Sequence, residues 1–92
     1  MSIKEHTTYA AENAARAAVA LARAIFSGGL TAREGIKTLD ALRASAQNLG
    51  VDSASMAAHL ALRAVETLSE KTDIDLSNAY LSAAERALAS MD

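Results

Sequence analysis

Apolar residues recur along the chain at spacings of three and four, which is the period of one face of an α-helix. Glycines and capping residues divide this pattern into four helical segments, at about residues 2–27, 31–48, 53–69 and 76–91. The chain contains no proline that could interrupt a segment. Since the connections are short, sequential helices should pack antiparallel. The pattern therefore predicts an all-α fold in which residues 1–92 form a single domain, a compact and mostly up-and-down four-helix bundle.

Capping signals predict where the first two helices begin. Ser2 and Glu5 have the spacing of a capping box, and so do Thr31 and Glu34. In this motif the hydroxyl accepts a hydrogen bond from the backbone of the third helical residue, whose side chain reaches back. Gly35, in the first turn of the second helix, costs about 1 kcal/mol relative to alanine. Close packing against another helix is the explanation we expect for it.

Further signals delimit the last two helices. Gly28-Gly29 and Gly50 can adopt the left-handed conformation that ends a helix. Val51 is placed to pack against Met56 at the start of the third helix. Asp75 is the predicted N-cap of the fourth helix.

A helical projection at 100° per residue predicts the buried face of each helix. The expected core residues are Ile3, Ala10, Ala14, Ala18, Leu21 and Ile25 in the first helix, Ile36, Leu39, Leu42, Ala46 and Leu49 in the second, Met56, Ala57, Leu60, Ala61, Ala64, Val65 and Leu68 in the third, and Leu76, Tyr80, Leu81, Ala84, Leu88 and Met91 in the fourth. Val19 and Phe26 lie at the far edge of a wide, alanine-rich arc on the first helix. Leu62 lies beside the polar residues of the third helix. These three residues predict an apolar surface left over for a partner.

Composition and charge narrow the possible functions. Hydrophobic residues make up 51% of the chain, many of them alanine, and the absence of cysteine excludes disulfides and thiolate metal sites. Residues 1–49 contain six bases and four acids, whereas residues 50–92 contain three bases and seven acids. The net charge of −2 is too small to indicate a partner. No segment has the length and apolarity of a transmembrane helix or the pattern of a secretory signal, so we expect a cytoplasmic protein without a membrane partner.

The residues that could carry chemistry are few. The two histidines are His6, near the terminus, and His59, on the polar face of the third helix. A helical metal site needs His and carboxylate side chains that face inward at spacings of three or four, and neither histidine has such a set. The pair Asp73 and Asp75 lacks the glycine and closing glutamate of a calcium-binding loop. We therefore expect a non-enzymatic protein without catalytic residues, metal or cofactor.

The segment from residue 46 to residue 60 resembles the helix-turn-helix of DNA-binding regulators. The residues that match the steric positions of that motif are Ala46, Gly50, Val51 and Met56. Ser45 and His59 depart from it, because the family usually has apolar core residues there. The would-be recognition helix offers no base-reading side chain before Arg63, and Asp52 would repel phosphate. A nucleic-acid-binding regulator is therefore an alternative function, although we do not expect nucleic acid as the partner.

The end of the second helix resembles the phosphoacceptor segment of histidine phosphotransfer domains, which are helical bundles of about this size. The compatible residues are Leu42, Arg43, Ser45, Leu49 and Gly50. Asp40 stands at the position of the phosphorylated histidine, and Ala44 replaces the glycine that gives the partner access. The resemblance thus implies a degenerate relative that binds a receiver domain without carrying phosphate.

The function that the sequence favours is a protein–protein interaction module, which acts as a small regulator, adaptor or inhibitor. We expect its partner to be another protein, and we also expect a homodimer through the first helix. The candidate partner-binding residues are Val19, Phe26, Leu62, Arg33, Lys37 and Arg43. The three basic residues among them lie on the second helix and would suit an acidic partner.

Overall fold

The computed structural model describes residues 3–70 and 72–91, with side chains from His6 onward. Each break in the apolar pattern ends a helix. Within these ranges the chain forms four helices, α1 (Ile3–Phe26), α2 (Ala32–Asn48), α3 (Asp52–Glu70) and α4 (Ile74–Ala89). The all-α four-helix bundle is confirmed, and every predicted helix end lies within two residues of its observed position. The predicted capping box at Ser2 and Glu5 lies outside the described residues.

The predicted start of α2 and the predicted glycine stops are confirmed. Thr31 Oγ1 accepts a hydrogen bond from the backbone N–H of Glu34 at 3.2 Å, and the Glu34 carboxylate accepts one from the Thr31 N–H at 3.3 Å. Gly28 and Gly50 have φ angles of 88° and 76° at the ends of α1 and α2. Glycine adopts this left-handed conformation without the steric penalty that a Cβ would bring.

The predicted cap of α4 is wrong. The N-cap is Asp73, whose side chain accepts a hydrogen bond from the backbone N–H of Leu76 at 3.0 Å. Ile74 is the first helical residue, and Asp75 lies in the first turn. Either aspartate could have capped the helix, and the carboxylate of Asp75 still stabilises the positive end of the helix dipole.

Helix α3 occupies the centre of the bundle. It packs against α1, α2 and α4, whereas α2 and α4 make no contact with each other within the described residues. Helix α1 packs against α2 and α3 and makes a smaller contact with α4. The bundle measures 43 × 23 × 18 Å. Since each helix packs against the one before it and the connections are short, the α1–α2 and α3–α4 connections lie at the same end.

The core is built mainly from alanine. Its buried apolar residues are Ala11, Ala14, Ala15, Ala18, Val19, Ala22, Ile25, Leu39, Ala46, Ala54, Ala57, Ala58, Ala61, Leu62, Ala64, Val65 and Ala84. Most of the larger apolar side chains, among them Leu21, Leu42 and Leu60, pack against this cluster while remaining partly exposed. Small residues allow close helix approach, but each contributes little buried area.

Gly35 has the packing role that we expected. It is buried in α2, and a Cβ built there would overlap Cδ1 of Ile25 and lie 3.2 Å from Ile25 Cγ1. The absence of a side chain therefore lets α2 approach α1 at this point.

The buried faces of α1 and α3 are rotated relative to the prediction. In α1 the buried stripe includes Ala11 and Ala15, and Ala10 is exposed. In α3 the prediction that Met56 belongs to the core is wrong, because 54% of this residue is exposed. A central helix is contacted from several sides, so its buried arc is wider than the apolar stripe of a surface helix and is shared by small residues such as Ala54 and Ala58.

Candidate interaction surface

Two of the predicted partner-binding residues belong to the core. Val19 is 1% exposed and Leu62 is 6% exposed. The expectation that Leu62 lies on an outer face is wrong, because α3 is covered on three sides. Part of the alanine-rich arc of α1 is likewise buried, since Ala14 and Ala18 belong to the core, whereas Ala10 is exposed. The surplus surface inferred from Val19 and Leu62 is therefore used for folding.

The other predicted residues lie on or near the surface. Phe26 is partly buried and packs against the core at the end of α1. Arg33 and Lys37 are exposed near the start of α2, and no ion pair involves either side chain within the described part of the chain. These two cations can therefore meet a partner without first losing an intramolecular contact.

Arg43 is held by its own helix. Its Nη2 donates to Asp40 Oδ1 at 2.8 Å, its Nε donates to the same oxygen at 3.2 Å, and its Nη1 donates to Gln47 Oε1 at 2.7 Å. Asp40 stands at the position that a phosphorylated histidine would occupy in a phosphotransfer domain, and here its carboxylate accepts hydrogen bonds. Arg43 is thus less available to a partner than Arg33 or Lys37.

Three exposed apolar side chains lie in or beside the two connections that share one end of the bundle, and one of them, Leu76, was wrongly predicted to be in the core. Leu30 lies in the α1–α2 connection, and Ile74 and Leu76 begin α4. All three are exposed, and Ile74 has 62% of its surface accessible. Because both connections lie at the same end of the bundle, we call these three residues the apolar end. The signal that could have revealed it was the position of Leu30 in a short connection and of Ile74 at the start of a helix, where few neighbours are available to cover them.

Tyr9 and Met56 are the other large apolar residues with high exposure. Met56 lies one turn into α3, at the end of that helix opposite the α3–α4 connection. It therefore lies away from the apolar end and offers a matched comparison for it.

Several charged side chains of the described residues form surface ion pairs. Arg23 of α1 donates from Nε to Glu85 Oε1 of α4 at 2.7 Å. This hydrogen bond and the charge of Glu85 raise the pKa of Arg23 above its usual value. Glu12 and Arg16 form an ion pair within α1 at 3.6 Å.

His6 and His59 are both exposed. Within the described ranges, no group of three or more His, Asp and Glu side chains could hold a metal ion. A search of the same residues finds no helix with the length and apolarity needed to cross a membrane.

No family model, curated protein or solved structure matches this chain. The class that the structure defines is an all-α four-helix bundle with an alanine-rich core. Its function is therefore inferred from its surface.

Proposed function

We propose that the domain is a protein–protein interaction module that binds its partner through the apolar end. The observation that carries the proposal is the exposure of Leu30, Ile74 and Leu76 in a fold whose core is mainly alanine. Burial of such exposed apolar side chains by a partner is favourable by about 25 cal/mol per Å².

The charges beside the apolar end fit a protein partner. Arg33 and Lys37 follow Leu30 on α2, while Asp75 lies between the two exposed apolar residues of α4. Apolar contact at the centre of an interface with charges at its rim is the usual arrangement in protein complexes, where the charges contribute mainly to specificity and association rate.

The arrangement of α3 gives less support to the nucleic-acid alternative. In a helix-turn-helix the second helix must present a face to the DNA major groove. Here that helix is α3, which is packed against all three other helices. Met56, which matches an apolar packing position of the motif, is instead exposed.

The feature that this structure has in common with a degenerate phosphotransfer domain is the helical bundle. Its acceptor position is Asp40, which is engaged by Arg43 on the outer face of α2. A receiver domain that docked there would have to displace this pair.

The homodimer through α1 remains a prediction, although part of the arc that motivated it, including Ala14 and Ala18, is buried within the chain. Light scattering of the purified chain at micromolar concentration tests it. A mass that stays at that of one chain would exclude this dimer.

The test of the proposed surface compares the unmodified chain with a Leu30→Ser, Ile74→Ser variant in partner capture from the native host, followed by a direct affinity measurement on the captured protein. We expect the variant to retain its helical circular dichroism and to lose binding by tenfold or more, because both side chains lie outside the core. Met56→Ser is the matched control and should bind normally. Equal affinities for the double variant and the control would refute the apolar end as the binding surface.

A second variant tests the rim. Arg33→Glu combined with Lys37→Glu should slow association with a partner that has an acidic surface, and the effect should decrease at high salt. Binding that is unchanged at both salt concentrations would exclude α2 from the interface.

A further inference from the structure

We infer that α4 is a detachable strap, which opens from α3 as a unit while α1, α2 and α3 remain folded. This inference concerns the chain alone and goes beyond the proposed binding function. It depends on how the helices share the core, on the connection before α4 and on the contacts that hold α4 in place.

The first three helices form a closed unit. Each pair among α1, α2 and α3 is in contact. Each of these helices also contributes one of the largest fully buried side chains, Val19 from α1, Leu39 from α2 and Val65 from α3. This unit therefore keeps its central apolar contacts when α4 is absent.

Helix α4 is attached differently. It packs mainly on α3, and it makes no contact with α2 within the described residues. Its residue of comparable burial to Val19, Leu39 and Val65 is the polar Ser77, and its other buried residue is Ala84. Leu81 and Leu88 are only partly buried. The packing of α4 along α3, which is the most extensive helix pair of the bundle, is thus made without a large, fully buried apolar side chain from α4.

Ser77 opposes the attachment of α4. Its Oγ is buried and has no hydrogen-bond partner in the described part of the chain. A hydroxyl that loses water without gaining a partner destabilises the packed state relative to the open one. Opening of α4 would restore its hydration.

The backbone is also strained at Thr72, directly before the N-cap of α4. Thr72 has a φ of 51°, in the left-handed region, and a β-branched residue there is a genuine outlier. Local backbone strain of this kind is released when the segment is free to change conformation.

The ion-pair and cation–π contacts between α4 and the other helices involve exposed or partly exposed side chains. They include the Arg23–Glu85 pair to α1, at 2.7 Å, and the Arg63 guanidinium over the Tyr80 ring, 5.8 Å from its centroid. An exposed ion pair weakens as salt screens its charges. The opening of α4 should therefore be favoured by salt.

Native-state hydrogen exchange of the full chain, measured by mass spectrometry across a series of low denaturant concentrations, tests the strap. Amides from Ser77 to Ala89 should exchange through an opening with a smaller denaturant dependence than amides in α1, α2 and α3. A common opening, with equal protection and equal denaturant dependence in α3 and α4, would overturn the inference.

Two variants test the stated causes. Ser77→Ala removes the unpaired hydroxyl and should slow exchange in α4 on the order of tenfold, with no equal change in α1 or α2. Glu85→Gln should accelerate exchange in α4 alone and abolish most of its salt dependence. Asp40→Asn, which removes an exposed ion pair within α2, is the matched control and should leave α4 unchanged. Variants that change all four helices equally would show that α4 does not open independently.

Discussion

Gly35 of α2 packs closely against Ile25 of α1, and a double-mutant cycle can measure how strongly the fold depends on this contact. The perturbation is Gly35→Ala, which adds a methyl group at a position where a Cβ would overlap Ile25 Cδ1. Alanine is favoured over glycine inside a helix by about 1 kcal/mol. Overpacking a well-packed core costs about 1–3 kcal/mol. These opposing effects should leave Gly35→Ala destabilising by about 0–2 kcal/mol.

Ile25→Val removes the atom that the new methyl group would overlap. By itself it should destabilise the fold by about 0.5–1.5 kcal/mol, because it deletes one buried methyl group. In this background Gly35→Ala keeps its helix-propensity gain and loses most of the steric cost, although Ile25 Cγ1 at 3.2 Å leaves some crowding. We therefore expect the double variant to be more stable than additivity predicts, by about 1–2 kcal/mol.

The assay is urea unfolding followed by circular dichroism at 222 nm, for the unmodified chain, the two single variants and the double variant. Ala41→Gly, at an exposed position of the same helix, is the control that measures the glycine–alanine difference in α2 without a steric contact. Additive free energies within about 0.5 kcal/mol would refute the reasoning, because distant and independent sites behave in this way. The reasoning would also be refuted if Gly35→Ala stabilised the otherwise unmodified chain by the full helix-propensity difference of about 1 kcal/mol.

Two further predictions use residues whose positions the sequence pattern assigned wrongly. Leu62→Ala should destabilise the fold by about 2–5 kcal/mol in urea unfolding, because it leaves a cavity beneath α3. Met56→Ala should change the stability by no more than about 0.5 kcal/mol. Similar losses for both variants would contradict the burial of Leu62 and the exposure of Met56. Asp73→Ala should cost about 0.5–2 kcal/mol through loss of the α4 cap, while Asp75→Ala should stay within about 0.5 kcal/mol in the same measurement. A larger effect at Asp75 would place the cap there after all.

The local sequence determined the helices and most of their ends. A capping box such as Thr31 with Glu34, or a glycine that needs a positive φ such as Gly50, acts through residues adjacent in the chain, so it is visible without a tertiary structure. The absence of proline and the abundance of alanine act in the same local way. These signals were sufficient to predict an all-α four-helix bundle.

The tertiary structure decided which residues each helix buries and which it leaves for a partner. An alanine-rich helix has a wide apolar arc, and a rotation of one residue about its axis changes the buried set at little cost in apolar area. Because α3 is surrounded by three helices, Leu62 became a core residue and Met56 a surface residue. The packing brings the two connections beside Leu30 and Ile74 to one end of the bundle, where both side chains are exposed. That arrangement depends on contacts between residues distant in the chain, which helical periodicity does not specify.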